Sequence, residues 1–179
     1  MWPLKKLTSG ILLATLLSAE ISYGETKQKV GIQAFQEIAT DVGTSTFAFS
    51  NEIEKLINLN KDSVYEVKFP EAIKESIDKA LKKIILAFQI AMEKASKINK
   101  EIASDDQIEQ CSTALQAFNR DEFSLLKTEV EEYSKLSVTG KGKHEAMYIL
   151  ATDLSIRCGV TKAKLGGALQ NCLVILDTQ

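Results

Sequence analysis

The sequence predicts an all-α fold, a bundle of five to seven helices wrapped around one long central helix. Apolar residues recur at three- and four-residue intervals between Ile73 and Ile102, which is the spacing of one helical face. The same period returns in shorter stretches on both sides of this segment. No strand alternation of apolar and polar side chains is found, and only the connector 65–69 could be briefly extended.

The first 24 residues have the pattern of a secretory signal peptide. Two lysines precede the apolar run 11–17, which is too short to span a bilayer. Ser22 and Gly24 supply small side chains at positions −3 and −1 of a cleavage site. We therefore expect a signal peptide over residues 1–24 and a single helical-bundle domain over residues 25–179. The mature protein is expected to be secreted and extracellular, in an oxidising compartment.

Two helices are expected before the central one. Residues 26–42 are amphipathic, and the glycine- and threonine-rich stretch 43–46 is expected to end this first helix. Asn51 suits the N-cap of a second helix. Pro70 then fits the first turn of the central helix, about 70–102, because its missing N–H would be unsatisfied there anyway.

The central helix is followed by a Ser-x-x-Gln sequence typical of a new helix start. Ser104 and Gln107 can form a capping box, in which each side chain accepts a hydrogen bond from the backbone N–H of the other residue. A break is expected at residues 119–121, after which the helical period resumes over 123–136. The stretch 137–143 holds two glycines and is the clearest linker in the chain.

The C-terminal part is expected to form two more helices. The first begins near His144 and ends at Cys158, with Gly159 as the residue that terminates it. The second starts at Thr161. The glycine pair 166–167 within it is expected to mark a close contact with another helix, because glycine otherwise weakens a helix.

The three cysteines allow at most one internal disulfide. If Gly159 reverses the chain, Cys172 lies about 16 Å along its helix from Cys158. That separation is too large, since bonded cysteines have Cα atoms within about 7 Å. A break at 119–121 would bring Cys111 nearer to Cys172 than to Cys158. We predict a Cys111–Cys172 disulfide, which leaves Cys158 as a free thiol, either buried or linking two chains.

Several classes of function lack support in the sequence. The 22 Lys and Arg residues and 24 Asp and Glu residues are interspersed, so nucleic acid is not an expected partner. His144, the only histidine, is expected to be solvated at the edge of the linker. Three distant cysteines and one histidine match no zinc pattern, so neither a metal nor another cofactor is expected. We expect no enzymatic activity, and no membrane association after signal cleavage.

Surfaces rather than reactive groups are therefore expected to carry the function. The leading hypothesis is a secreted, non-enzymatic structural or interaction protein that associates through helix faces, with itself or with another secreted protein. Two alternatives stay open: a carrier of a small hydrophobic ligand, and a proteinaceous inhibitor of a secreted enzyme. The candidate residues for an apolar ligand pocket are Phe35, Phe88, Met92, Phe118 and Phe123.

Several short segments resemble the N-terminal domain of spider silk proteins (spidroins). They are Gln33–Ala34–Phe35, Phe49 with Ser50 and Glu52, residues 86–92, Cys158–Gly159–Val160 and residues 173–176. The resemblance implies a secreted five-helix bundle that dimerises through charged faces as the pH falls, and hence silk-related self-assembly. The chain departs from the family in lacking its early tryptophan, in a longer segment over 112–143 and in its three cysteines.

Overall fold

The computed structural model describes residues 8–62, 66–139 and 142–173, with side chains from residue 31 onward. These residues form α-helices and no strand. The helices are α1 (Thr8–Asn60), α2 (Glu71–Ile102), α3 (Asp105–Phe118), α4 (Ser124–Ser134) and α5 (Lys143–Gln170). A π-helical turn, Asn119–Phe123, joins α3 and α4 into one rod. The described residues thus make four continuous helices, and the expected number of five to seven is not confirmed.

Helix α2 lies where the sequence predicts the long central helix. It begins directly after Pro70, ends at Ile102, and packs against α1, α3 and α4. Its inward face is fully buried at Ile77, Leu81 and Phe88. The remaining helix, α5, packs against α1, α3 and α4, so α1 and α5 complete the wall around this core.

The predicted break at residues 43–46 is wrong, because α1 continues through it. Thr46 donates its hydroxyl to the carbonyls of Val42 and Gly43 at 2.9 Å, so it bonds within the helix instead of capping a new one. Val42, Thr46, Phe49 and Ile53 form an unbroken buried stripe. Burial of this stripe outweighs the roughly 1 kcal/mol by which a glycine disfavours a helix. The signal peptide is not tested by this helix, whose side chains before residue 31 are not described.

The predicted break at residues 119–121 is also wrong, and the π-helical turn replaces it. Buried residues are spaced three or four apart up to Phe118 and again from Phe123, with a gap of five between them. Two residues five apart point in different directions in an α-helix, but a π-turn brings them close to the same face. Phe118 and Phe123 therefore both point inward, with ring centroids 6.2 Å apart.

Helix α5 is a single helix and not two. It begins after Gly142, whose φ of 79° lies in the left-handed region that glycine tolerates best. It then runs through Gly159 without interruption, so the predicted end at Cys158 is wrong. The expected close helix contact at residues 166–167 is wrong as well. A Cβ atom added at either glycine, or at Gly159, would meet nothing within 4 Å.

Candidate interaction surface

The cysteine pair ties the end of α5 to α3. The Sγ atoms of Cys111 and Cys172 lie 2.06 Å apart and the Cα atoms 4.4 Å apart. Buried Asn99 of α2 donates its amide to the carbonyl of Cys172 at 3.0 Å. Since α5 is continuous, Cys158 lies about 20 Å along the helix from Cys172, so that pair remains too distant to bond.

Cys158 is a free and buried thiol with only 2 % of its surface exposed. Burial raises the pKa of the thiol to about 12, and the charge of Glu129 adds to this shift. The thiol therefore stays protonated at neutral pH, and only the thiolate is a good nucleophile. The buried position agrees with the alternative of a buried thiol and gives no support to a link between chains.

The phenylalanines considered for a ligand pocket fill the core instead. The ring of Phe88 lies 6.2 Å from that of Phe118 and 5.9 Å from that of Phe123, and all three are buried. Such tilted and edge-on contacts are favourable aromatic packing. Phe35 is buried on α1, whereas Met92 is half-buried and lines an open cleft with Phe123. The structure therefore does not gather the five residues around one common cavity.

His144 is half-buried and bonded, so the expectation of a solvated histidine is wrong. Its Nδ1 lies 3.2 Å from the carbonyl oxygen of Val67, and its Nε2 lies 3.1 Å from that of Val138. The ring thus connects the segment before α2 with the linker before α5. With each ring nitrogen within hydrogen-bonding distance of a main-chain carbonyl, the histidine has a positioning role in the fold.

The outward face of α5 carries a stripe of exposed apolar side chains. Ile149, Ile156 and Val160 are 50 %, 69 % and 42 % exposed, and their spacings of seven and four place them on one face. The opposite face holds the buried residues that anchor the helix in the bundle. They include Met147, Ala151, Leu154, Cys158, Thr161 and Leu165. Helix α5 is therefore apolar on two opposite sides, and the described residues cover only one of them.

Acidic groups lie within this stripe and beside it. Asp153 lies within it, and the groove between α4 and α5, with a volume of about 480 Å³, is lined by Glu129 and Glu132. Arg157 holds Glu129 through two contacts of 3.2 Å, which fixes one wall of the groove. The arrangement presents an apolar ridge with a negative edge.

A second exposed surface runs along α2. One cleft of about 690 Å³ lies between α2 and the rod formed by α3 and α4, and a second of about 510 Å³ lies between α2 and α4. Leu86, which lines the second cleft, is 54 % exposed. The sequence offers one signal for this surface, since Leu86 follows Lys82 by four residues, which places an apolar side chain and a lysine on one helix face.

Two further kinds of site are absent from the part of the chain that the structure describes. No group of three or more His, Cys, Asp or Glu side chains there is placed to hold a metal ion. Within the same residues, no helix is long and apolar enough to cross a membrane.

No protein-family model, curated protein or solved structure matches the chain. The resemblance to the spidroin N-terminal domain therefore stays a prediction from the sequence.

Proposed function

We propose that this is a secreted, non-enzymatic interaction protein that associates through the outward face of α5, with itself or with another secreted protein. The single observation that carries the proposal is the exposed stripe of Ile149, Ile156 and Val160 on a helix whose other face is already buried. Exposed apolar residues that share a face and have polar neighbours are typical of protein–protein contact sites. Residues 1–24 would be removed as a signal peptide, and the Cys111–Cys172 pair suits an oxidising compartment.

The silk-related form of this proposal has the sequence resemblance alone as its support. The ligand-carrier alternative gains nothing from the geometry, because the rings that would line its pocket pack against one another. The inhibitor alternative likewise has no observation of its own.

The test compares two matched substitutions, Ile156→Ser on α5 and Ile57→Ser on α1, where Ile57 is 43 % exposed. Covering a large apolar side chain stabilises a complex by about 1.5–3 kcal/mol. Ile156→Ser is therefore expected to weaken association about 10- to 100-fold, and Ile57→Ser to leave it unchanged. Sedimentation velocity at pH 5–8, with and without reductant, measures self-association.

Association with another protein is measured by retention on the immobilised wild type and on each variant, using the fluid into which the protein is secreted. A protein that the wild type and Ile57→Ser retain, and that Ile156→Ser does not, supports the proposal. A strict monomer under all conditions, together with no such retained protein, contradicts it.

A further inference from the structure

The two clefts along α2 form one trough. Gln89 and Lys127 line both, so the cleft facing α3 continues into the cleft facing α4. Lys82 lines one end and Lys100 the other. Eighteen residues of helix separate them, which corresponds to about 27 Å. The trough is therefore about as long as a five-turn helix.

The trough carries more positive charge than the protein as a whole. Two glutamates line it, Glu93 and Glu131, against five lysines. The lysines are Lys82, Lys97, Lys100, Lys127 and Lys135. The trough thus has a local excess of three positive charges, although the chain has a net charge of −2. Such a concentration of one sign attracts and orients a partner of the opposite sign.

The floor of the trough is apolar mainly at the end near Lys82, where Ile85, Leu86 and Val130 line it. The other end combines half-buried Met92 with polar side chains that include Ser96 and Gln116. Small-molecule sites commonly bury 70–90 % of their ligand. An open trough in which Leu86 is 54 % exposed would leave much of an acyl chain or another small ligand in contact with water. A rod-shaped partner can lie along the whole length of the trough and cover Leu86 with its own apolar face.

We propose that this trough binds an acidic amphipathic helix of about 18 residues belonging to a partner protein. The apolar face of that helix covers Leu86 and its neighbours, and its carboxylates meet the lysines on the two rims. This is the helix-in-groove mode of recognition. The site goes beyond the association through α5, since it uses other helices and other residues, and either can fail without the other.

The test uses the full protein with its disulfide intact and a fluorescein-labelled peptide of 18 residues. The peptide contains leucine, alanine and glutamate, with leucine at positions i, i+3, i+4 and i+7 of each two turns. One comparison peptide has the same composition in scrambled order, and a second has lysine in place of every glutamate. Fluorescence anisotropy is measured at low and at physiological salt. We expect the amphipathic acidic peptide to bind at least 10-fold more tightly than the scrambled one, and the basic one not to bind.

Three variants locate the site. Leu86→Ser removes exposed apolar surface. A double variant, Lys97→Glu with Lys100→Glu, reverses two charges in the cleft that faces α3. Each is expected to weaken peptide binding at least 10-fold. The matched control reverses two exposed lysines elsewhere, Lys61→Glu with Lys68→Glu, and is expected to change binding less than 2-fold. Circular dichroism checks that every variant is folded, which is expected because the altered side chains are exposed.

Three results would overturn the proposal. The first is equal binding of the amphipathic and scrambled peptides, which would reveal attraction by charge alone. The second is binding that the Leu86 and lysine substitutions leave unchanged, or no binding at millimolar peptide. The third is a different occupant: oleate or phosphatidylserine vesicles bound through the same residues in preference to the peptide, or a dimer of the protein that Leu86→Ser abolishes.

Discussion

Deleting Arg120 from the π-helical turn is expected to leave the protein folded, whereas deleting Thr128 from α4 is expected to destabilise it strongly. A π-turn inside an α-helix holds one residue more than the regular helix needs. Without Arg120, Phe123 would follow Phe118 by four positions. The buried residues of the rod would then recur at regular intervals of three and four. The deletion also removes the exposed ion pair between Arg120 and Asp121, which adds little to stability.

The control deletion lacks this compensation. Removing Thr128, which is also exposed, rotates the rest of α4 by about 100° and turns Val130 and Tyr133 away from the core. At about 1.5–3 kcal/mol for each buried side chain, the loss is roughly 3–6 kcal/mol. The deletion of Arg120 should change the free energy of unfolding by less than about 1 kcal/mol, the scale of an ordinary surface change. Urea unfolding followed by circular dichroism at 222 nm measures both. Equal destabilisation by the two deletions would refute the argument from helical phase.

Two predictions concern the cysteines. Replacing Cys111 and Cys172 together by Ala should cost about 4 kcal/mol, the loop-closure entropy for residues 61 apart in sequence; urea unfolding tests this, and a loss below about 1 kcal/mol would contradict a stabilising bond. For Cys158, the pKa of about 12 in the folded state lies above its usual value, so the folded protein keeps a proton that the unfolded chain loses. Stability should therefore fall as the pH rises from about 9 to 12, by up to about 4 kcal/mol. Cys158→Ala should lessen that fall, and an identical pH dependence in the variant would argue against the thiol as its source.

Local signals explain which parts of the fold could be predicted. Pro70 precedes the first residue of α2, and the backbone N–H of Ser104 donates to the Gln107 side chain at 3.1 Å in the capping box expected there. Such start signals act within one turn, so they can be recognised without knowledge of the rest of the chain. The apolar stripe of α2 is long and regular, which is why its length was predicted almost to the residue.

The expected breaks failed where a local preference competes with burial. Gly43 and Gly159 each weaken a helix by roughly 1 kcal/mol, a cost that is visible in the sequence. The burial that offsets it is not visible, since it depends on which helix lies opposite. Phe49 and Leu154 lie on buried stripes that continue past these glycines. Tertiary packing therefore decided both cases, and the same reasoning accounts for the π-turn, which preserves the inward direction of Phe123.

The candidate surfaces are hidden in the sequence for a related reason. Ile149 and Ile156 recur at helical spacing just as the buried Met147 and Leu154 do. From the sequence, either pair could therefore be predicted to lie in the core. Only the packed bundle shows that one of the two faces has no neighbour among the residues that the structure describes. A helix that is apolar on both sides is normally enclosed on both. In α5 one side is open, and the cost of hydrating it is removed when another helix covers it, which is the physical reason to locate association on this face.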